Sequence, residues 1–347
     1  MRKPNVAILG ATGAVGQELL KLIAERNFPF NTLKLLASER SAGKQIKLLG
    51  KTYTVEEAVP DSFHGIDIAL FAGGAASKTL APEAVRRGAV VIDNSSAFRM
   101  DPEVPLVVPE VNPEDLQSHK GIIANPNCST IIMVMALKPI HDQVKIKRIV
   151  VSTYQAVSGA GKEAIDELKD QVSEILTGKP ATANILPSAS LPKHYQIAYN
   201  LIPQIDVFLD DGYTKEEMKM VHETHKIMND YSIGITATTI RVPVYRSHSE
   251  SINIELTSDL SVEEVKKHLA NFPGVTVQDN PAEMEYPMPL FCSEKDDVCV
   301  GRIRKDTSVP YGLNMWVVGD QIRKGAALNA LQIAEYMIAH QLVCFLR

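Results

Sequence analysis

"VAILGATGAVGQELLKLI", residues 6–23, is the stretch that decides the fold. A short apolar run ends at three glycines, Gly10, Gly13 and Gly16, and the glycines open a helix-periodic segment. Val15, Leu19, Leu22 and Ile23 recur on one face of that helix. Strand, Gly-rich turn and helix in this order form the start of a dinucleotide-binding βαβ unit. Glycines let the backbone approach a pyrophosphate, and the helix N-terminus presents free N–H groups to it. The pattern is GxxGxxG, one residue longer in its first gap than the usual GxGxxG. Thr12, Ala14 and Val15 lie between the glycines and join them as candidate cofactor contacts.

The chain after this unit keeps the same rhythm. "LKLLAS", "IDIALFAGG", "AVVIDNSS" and "GIIANPN" are short apolar runs separated by helical patterns, which predicts a mostly parallel sheet. From Lys145 the texture changes to longer alternating strands, "KIKRIVVSTYQAV", "YSIGITATTIRVPVY" and "ESINIELTSD", with amphipathic helices between them. That is the signature of a mixed sheet with helices on one face. The tail "RKGAALNALQIAEYMIAHQLV" is apolar around much of its circumference, so it needs cover on several sides. The expected fold class is α/β: a Rossmann-like dinucleotide-binding domain over residues 1–127, completed by a C-terminal helix over 325–347, and a second α+β domain over 128–324.

The ends of the parallel strands line the ligand crevice of such a fold. After the second strand, "LLASERSAGK" offers Ser38, Arg40, Ser41 and Lys44. An arginine flanked by hydroxyls suits a ribose 2′-phosphate, so the expected cofactor is NADP, with Glu39 turned to solvent. Gly73 in "FAGGAAS" and Asn94 and Ser95 in "IDNSSAFRM" follow later strands, and Arg99 closes that polar turn.

Composition narrows the function classes. The 347 residues are 45% hydrophobic and 22% charged, with a formal net charge of −5 and no basic block, which argues against nucleic acid as a partner. No apolar run reaches the roughly 18 residues needed to span a bilayer, and the N-terminus lacks the form of a signal peptide. Cys128, Cys292, Cys299 and Cys344 show no framework spacing and no CxxC pair, so a reducing, cytoplasmic setting without a metal site is expected.

One cysteine stands apart. In "ANPNCSTIIM" (124–133), Cys128 follows Pro126 and Asn127 and precedes an apolar helical run. A thiol at a helix start faces unpaired N–H groups and the positive end of the macrodipole, which favour the thiolate. The alternative is a core or capping residue.

"GATGAVG", "ASERSAGK", "DNSSAFRMD", "VPEVN", "NPNCST", "STYQAVSGAG", "EEMKMVHETHKI", "RVPVYRSHSE" and "GAALNALQIAE" occur in that order. Together they resemble the aspartate-β-semialdehyde dehydrogenases of bacteria, from residue 5 to about residue 340. The resemblance implies NADP-dependent, reversible oxidative phosphorylation of aspartate semialdehyde to aspartyl phosphate, a step toward lysine, methionine and threonine. It implies Cys128 as nucleophile, His248 as general acid/base and Gln155 as the amide that orients the acyl group. It implies Arg241 for the substrate α-carboxylate, and Arg99 with Lys219 for phosphate. Ser158, Gly159 and Asn329 enter as cofactor contacts on the same ground, and the second domain as the dimerisation domain of a homodimer or dimer of dimers. The nearest rival is N-acetyl-γ-glutamyl-phosphate reductase, whose substrate has a capped amine; a non-catalytic NADP-binding sensor is the rival from another class.

Three local readings sharpen these expectations. Arg241 and His248 are seven apart, so an unbroken strand would put them on opposite faces; Pro243 and "YRSHS" must break it if both serve one site. In "YTKEEMKMVHETHK", Thr214-x-x-Glu217 is a capping box. That gives Glu217 a structural job. The resemblance implies that Glu216, three residues before Lys219 on one helical face, binds the substrate ammonium; the alternative is an exposed i,i+3 ion pair with Lys219. Met218 and Val221 are expected toward the core. In "KEAIDELKDQVSEILTG", Ile165, Leu168, Val172, Ile175 and Leu176 form an expected packing stripe.

Overall fold

The computed structural model describes residues 3–343. It divides into two compact units, one made of the chain up to Asn127 together with the chain from Gly325, the other of Cys128–Lys324.

The first unit is built on β1 (Asn5–Leu9), α1 (Ala14–Glu25), β2 (Thr32–Ala37), β3 (Gln45–Leu48), β4 (Lys51–Glu57), β5 (Ile68–Phe71), α2 (Ser77–Arg86), β6 (Val90–Asp93) and β7 (Ile122–Ala124). Its sheet has the order β3-β4-β2-β1-β5-β6-β7, and every pairing is parallel except β3 with β4. β1, β5 and β6 are almost wholly buried, as parallel strands covered on both faces must be. The chain leaves β1 to one side for β2 and returns on the other as β5. That reversal opens the crevice at the carboxyl ends of β1 and β5.

The β3–β4 hairpin has no counterpart in the sequence expectations. Its two-residue turn is Leu49 (φ 48°) and Gly50 (φ 76°). Leucine stands where asparagine or aspartate normally signals such a turn.

The second unit contains α3 (Cys128–His141), β8 (Ile146–Ala156), α4 (Lys162–Leu176), α5 (Lys215–Met228), β9 (Gly234–Val242), β10 (His248–Leu256), α6 (Val262–Ala270), β11 (Val275–Val277), α7 (Pro289–Cys292), β12 (Val298–Asp306) and β13 (Gly312–Gly319). The sheet order is β11-β12-β13-β10-β8-β9, with β8/β9 and β11/β12 parallel and the rest antiparallel. The sheet is therefore mixed, as expected. The chain returns to the first unit through a π-type turn, Arg323–Ala327, and α8 (Leu328–Ala339).

Three expectations need correction. The terminal helix ends at Ala339, not near the chain end; residues 344–347 of that expectation, Cys344 included, lie outside the described residues. Gln341 takes φ 58°, while Leu342 N–H bonds Met337 O at 2.9 Å and Gln341 N–H bonds Ile338 O at 3.3 Å. This is a Schellman stop with glutamine where glycine is usual. On α4, Leu176 is 75% exposed; the buried positions are Ala164, Glu167, Leu168 and Gln171. The Gln171 amide oxygen accepts the N–H groups of Ile197 and Ala198, so this helix buries a polar tie in place of the last leucine. On α5, Met218 and Val221 are only half-buried, and the inward face carries Glu216, Glu217, Met220, Glu223, Thr224 and Ile227. A helix that buries three carboxylates is serving polar partners as well as packing.

Candidate active site

α3 is buried on nearly its whole circumference, and Cys128, its first residue, is half-buried at the end of an otherwise closed helix. The thiol therefore sits where the helix leaves its first N–H groups without intrahelical acceptors.

The rest of the group is set by sheet register. β8 lies between β9 and β10, Gln155 pairs with Arg241, and the β8–β10 ladder brings His248 beside Gln155. The strand break anticipated between Arg241 and His248 is present: β9 ends at Val242, and Ser247 adopts φ 72° immediately before His248. A non-glycine residue holds that conformation only when its surroundings enforce it. Here Ser247 N–H bonds the Gln321 side chain at 2.8 Å and its hydroxyl meets Ser293 at 2.9 Å.

The hydrogen bonds assign protons. The Ala156 backbone N–H donates to His248 Nδ1 at 3.0 Å, so the neutral ring carries its proton on Nε2. His248 is fully buried, and burial, helped by the nearby Arg241 cation, holds its pKa well below the ordinary histidine value against a Ser247 backbone interaction that raises it. The Gln155 amide is oriented from both ends. Its oxygen accepts from the Thr153 hydroxyl at 2.9 Å and its nitrogen donates to Glu216 Oε1 at 3.2 Å. Gln155 Nε2 and His248 Nε2 lie 3.4 Å apart, and both are donors. Two donors converging on one spot make a place for an oxygen with negative charge.

Arg241 is 3% exposed and gives Nη1 to the Ala156 carbonyl at 2.7 Å, while Nε has no hydrogen-bond partner among the described residues. Burial lowers its pKa, opposed by Glu216 and by the Cys128 sulfur, which places Cys128 within electrostatic reach of Arg241. Gly159 passes so close that a Cβ there would lie 2.9 Å from Arg241 Nη1 and 3.3 Å from His248 Nε2. Ser158 beside it accepts a hydrogen bond from Gln321 Nε2.

Glu216, on the first turn of α5, also accepts from Lys219 Nζ at 3.1 Å, and Lys219 donates to Asp206 at 2.9 Å. Burial alone would lower the Lys219 pKa, but Glu216 and Asp206 outweigh it and raise the value. Two of its three N–H groups are thus committed and one remains. The capping box is formed as expected, with Thr214 N–H on Glu217 Oε2 at 2.6 Å and Glu217 N–H on Thr214 Oγ1 at 3.3 Å. Glu217 Oε1 takes the Thr239 N–H at 3.0 Å, a tie from α5 to β9 that sequence reasoning missed.

Arg99 belongs to the first unit, where it is 8% exposed and donates to the Asn94 carbonyl at 2.8 Å. That unit carries the expected cofactor residues at the carboxyl ends of its strands. Gly10 has φ 81°, and a Cβ on Gly16 would stand 2.2 Å from the Gly10 carbonyl oxygen. No side chain caps α1 at Gly13, so the N–H groups around Ala14 and Val15 are left for a ligand. Thr12 and Ser41 hydroxyls meet at 3.5 Å, which joins the glycine turn to the Ser38–Arg40–Ser41 turn; Ser38, Glu39 and Arg40 are exposed. At Gly73, φ is 105° and a Cβ would meet nothing within 4 Å. Ser95 bonds Asp93 at 2.6 Å. Asn94, Asn125 and Asn329 form a carboxamide chain with links of 2.8 and 2.7 Å. Asn329 also gives an N–H to Val107 O, so it is a support for Asn94. These features fit a dinucleotide phosphate.

Cys292 and Cys299 are buried and hydrogen-bonded to each other, which lowers the first pKa and raises the second. Among the described residues no three His, Cys, Asp or Glu side chains are grouped to hold a metal, and no helix is long and apolar enough to cross a membrane.

Two family models match the chain. "Semialdehyde dehydrogenase, NAD binding domain" covers residues 5–119, and "Semialdehyde dehydrogenase, dimerisation domain" covers 137–324. An aspartate-semialdehyde dehydrogenase of Aquifex aeolicus is 58% identical over 98% of this chain and 99% of that one. Among solved structures, aspartate semialdehyde dehydrogenase II of Vibrio cholerae complexed with ASA is 49% identical with a TM-score of 0.92, over 98% of this chain and 99% of that one. The enzyme of Candida albicans with NADP is 26% identical with a TM-score of 0.75, over 98% of this chain and all of that one.

Proposed function

Because the chain belongs to the aspartate-semialdehyde dehydrogenase family, we propose that Cys128 is its nucleophile and that Gln155, His248, Arg241, Glu216 and Lys219 form the site around it. The chain is an oxidoreductase with aspartate-semialdehyde dehydrogenase activity, in aspartate-family amino-acid biosynthesis, and uses NADP. The observation that carries the site reading is the buried row Arg241, Gln155, His248 on one sheet face, with the Cys128 sulfur within electrostatic reach of Arg241.

Cys128 thiolate adds to the aldehyde carbon, and the oxygen that gains charge is met by His248 Nε2–H and the Gln155 amide. When bound, NADP supplies the hydride acceptor that turns the adduct into a thioester. Phosphate then attacks the thioester carbonyl and the Cys128 sulfur leaves as thiolate, a far better leaving group than an alkoxide from serine. His248 enters as a hydrogen-bond donor at Nε2; to serve as a base there the ring must carry its proton on Nδ1 instead and so give up the Ala156 hydrogen bond. Arg241 holds the substrate α-carboxylate through its uncommitted N–H groups, Glu216 the ammonium, and the free N–H of Lys219 the phosphate, with Arg99 as its second anchor. A buried carboxylate in this position suits a free amine and disfavours the capped amine of an N-acetylated substrate.

In the first unit, Gly10, Gly13 and Gly16 with Thr12, Ala14 and Val15 would hold the pyrophosphate. Ser38, Arg40 and Ser41 would hold the 2′-phosphate, and Gly73, Asn94 and Ser95 the remainder; Ser158 and Gly159, of the second unit, are the further cofactor contacts. The working form is a homodimer in the cytoplasm; the match to a dimerisation domain and the free cysteines support that reading.

The test is NADPH formation from aspartate semialdehyde, with and without phosphate, in the wild type and Cys128→Ser. Phosphate-dependent turnover should fall by several orders of magnitude in the variant while NADP binding stays near normal. Iodoacetamide should label Cys128 first, with phosphate protecting it. Persistent activity in Cys128→Ser would overturn the nucleophile assignment.

A further inference from the structure

Behind the row Arg241, Gln155, His248 the same sheet face carries a second row: Thr239, Thr153 and Glu250, in register with one another. The row behind that, Ala237, Val151 and Ile252, is apolar. The middle row is therefore polar without being at the site, and each member needs a reason. Thr239 offers its N–H to Glu217, and Thr153 gives its hydroxyl proton to Gln155 Oε1. Glu250 remains: it is fully buried, and neither carboxyl oxygen has a hydrogen-bond partner among the described residues.

Buried polar groups are almost always satisfied, by protein or by internal water, so an orphaned carboxyl beside a site is a signal. Directly opposed residues on neighbouring strands have Cβ atoms about 5 Å apart. Glu250 and Thr153 are such a directly opposed pair, on the same face of the sheet. The Thr153 hydroxyl has one proton and two lone pairs. Its proton is on Gln155, so its lone pairs are open to a donor. A donor on the Glu250 side of the hydroxyl completes this arrangement and keeps the Thr153 proton on Gln155, and a carboxylic acid carries such a donor where a carboxylate does not.

We propose that Glu250 is a positioning residue for the reaction: its carboxylic acid donates, through one internal water, to Thr153, and thereby fixes the direction of the chain Glu250, Thr153, Gln155, Glu216. The Gln155 N–H groups are then aimed at Glu216 and at the oxyanion position beside His248. Burial supports the acid form, since it raises the Glu250 pKa well above the ordinary carboxyl value. The proposal rests on the assignment of Gln155 to the active site.

Four variants test it: Glu250→Met, Glu250→Gln, Gln155→Leu and Gln155→Leu with Glu250→Met. Losing the donor should lower kcat of Glu250→Met by about three- to tenfold, the worth of one neutral hydrogen bond. KM for aspartate semialdehyde should stay unchanged, and the melting temperature should hold or rise because an apolar chain replaces a buried acid. Glu250→Gln, whose amide still donates, should keep most of kcat. On the Gln155→Leu background Glu250→Met should cost nothing further. Wild-type kcat in Glu250→Met beside an impaired Gln155→Leu overturns the role of Glu250. Full activity in Gln155→Leu overturns the site assignment instead. Equal losses in Glu250→Met and Glu250→Gln, or an apolar variant that does not fold where Glu250→Gln does, show a merely structural residue and overturn the proposal.

Discussion

The two adjacent glutamates at the start of α5 separate structure from chemistry within a single helical turn. Glu217→Ala removes a buried carboxylate that accepts two backbone N–H groups, from Thr214 at 2.6 Å and Thr239 at 3.0 Å. The Glu217 N–H bond to Thr214 survives the change. The cap alone is worth up to about 2 kcal/mol. The second tie, to β9, leaves another buried donor without an acceptor, at about 1–3 kcal/mol. The expected loss is therefore about 2–4 kcal/mol, more than a surface cap would give. For a unit of this size that is a melting shift of about 5–10 °C. Calorimetry or thermal circular dichroism reads it, and well below the transition kcat and KM should stay within about twofold of wild type. Glu216→Gln keeps the shape but drops the charge that faces Lys219 and, in the proposed site, the substrate ammonium. Losing one charge-assisted contact of about 1.5–3 kcal/mol should cut kcat/KM by roughly 10- to 150-fold with little change in melting. A Glu217→Ala protein that melts normally but does not turn over, beside a silent Glu216→Gln, would refute this division and move the ligand role one residue along.

Two predictions concern the first unit. Arg40→Ala should raise the NADP⁺ Michaelis constant while hardly changing that for NAD⁺, since the lost charge-assisted bond, about 1.5–3 kcal/mol, is made only to the 2′-phosphate; equal losses with both cofactors would mean that Arg40 shapes its loop. Gly16→Ala puts a Cβ 2.2 Å from the Gly10 carbonyl and 2.7 Å from Ala11 Cα, both backbone atoms that cannot swing aside. Overpacking of this kind costs about 1–3 kcal/mol and should weaken NADP⁺ binding in a calorimetric titration, and a variant with wild-type affinity and stability would show that the turn has slack.

What could be read from the sequence was whatever a short segment decides by itself. The glycine turn, Cys128 at a helix start, the Thr214–Glu217 box and the break before His248 each follow from spacing within one or two turns of chain. What could not be read depends on partners far along the chain. That β8 lies between β9 and β10 is a matter of sheet order, and no local pattern encodes it. That α5 buries Glu223 along with Glu216 and Glu217 is likewise invisible locally, because carboxylates are seldom buried without partners that only the fold supplies. The ends of the β3–β4 turn and of α8 were hidden for a narrower reason: Leu49 and Gln341 hold left-handed conformations that glycine or asparagine usually announces.

Sheet register also explains where each supporting group stands in the chain. On a strand the nearest side chain on the same face is two residues away, and which neighbour lies behind the site depends on strand direction. β8 and β9 are parallel, so the groups behind Gln155 and Arg241 precede them, as Thr153 and Thr239. β10 runs antiparallel to β8, so the group behind His248 must follow it, as Glu250. One rule thus places all three members of the second row from the three members of the first, with the sign set by topology alone. The same rule makes "HSE" at 248–250 and "TYQ" at 153–155 equivalent units read in opposite directions: each strand supplies a group at the site and, one step back on the same face, a polar group of the second row.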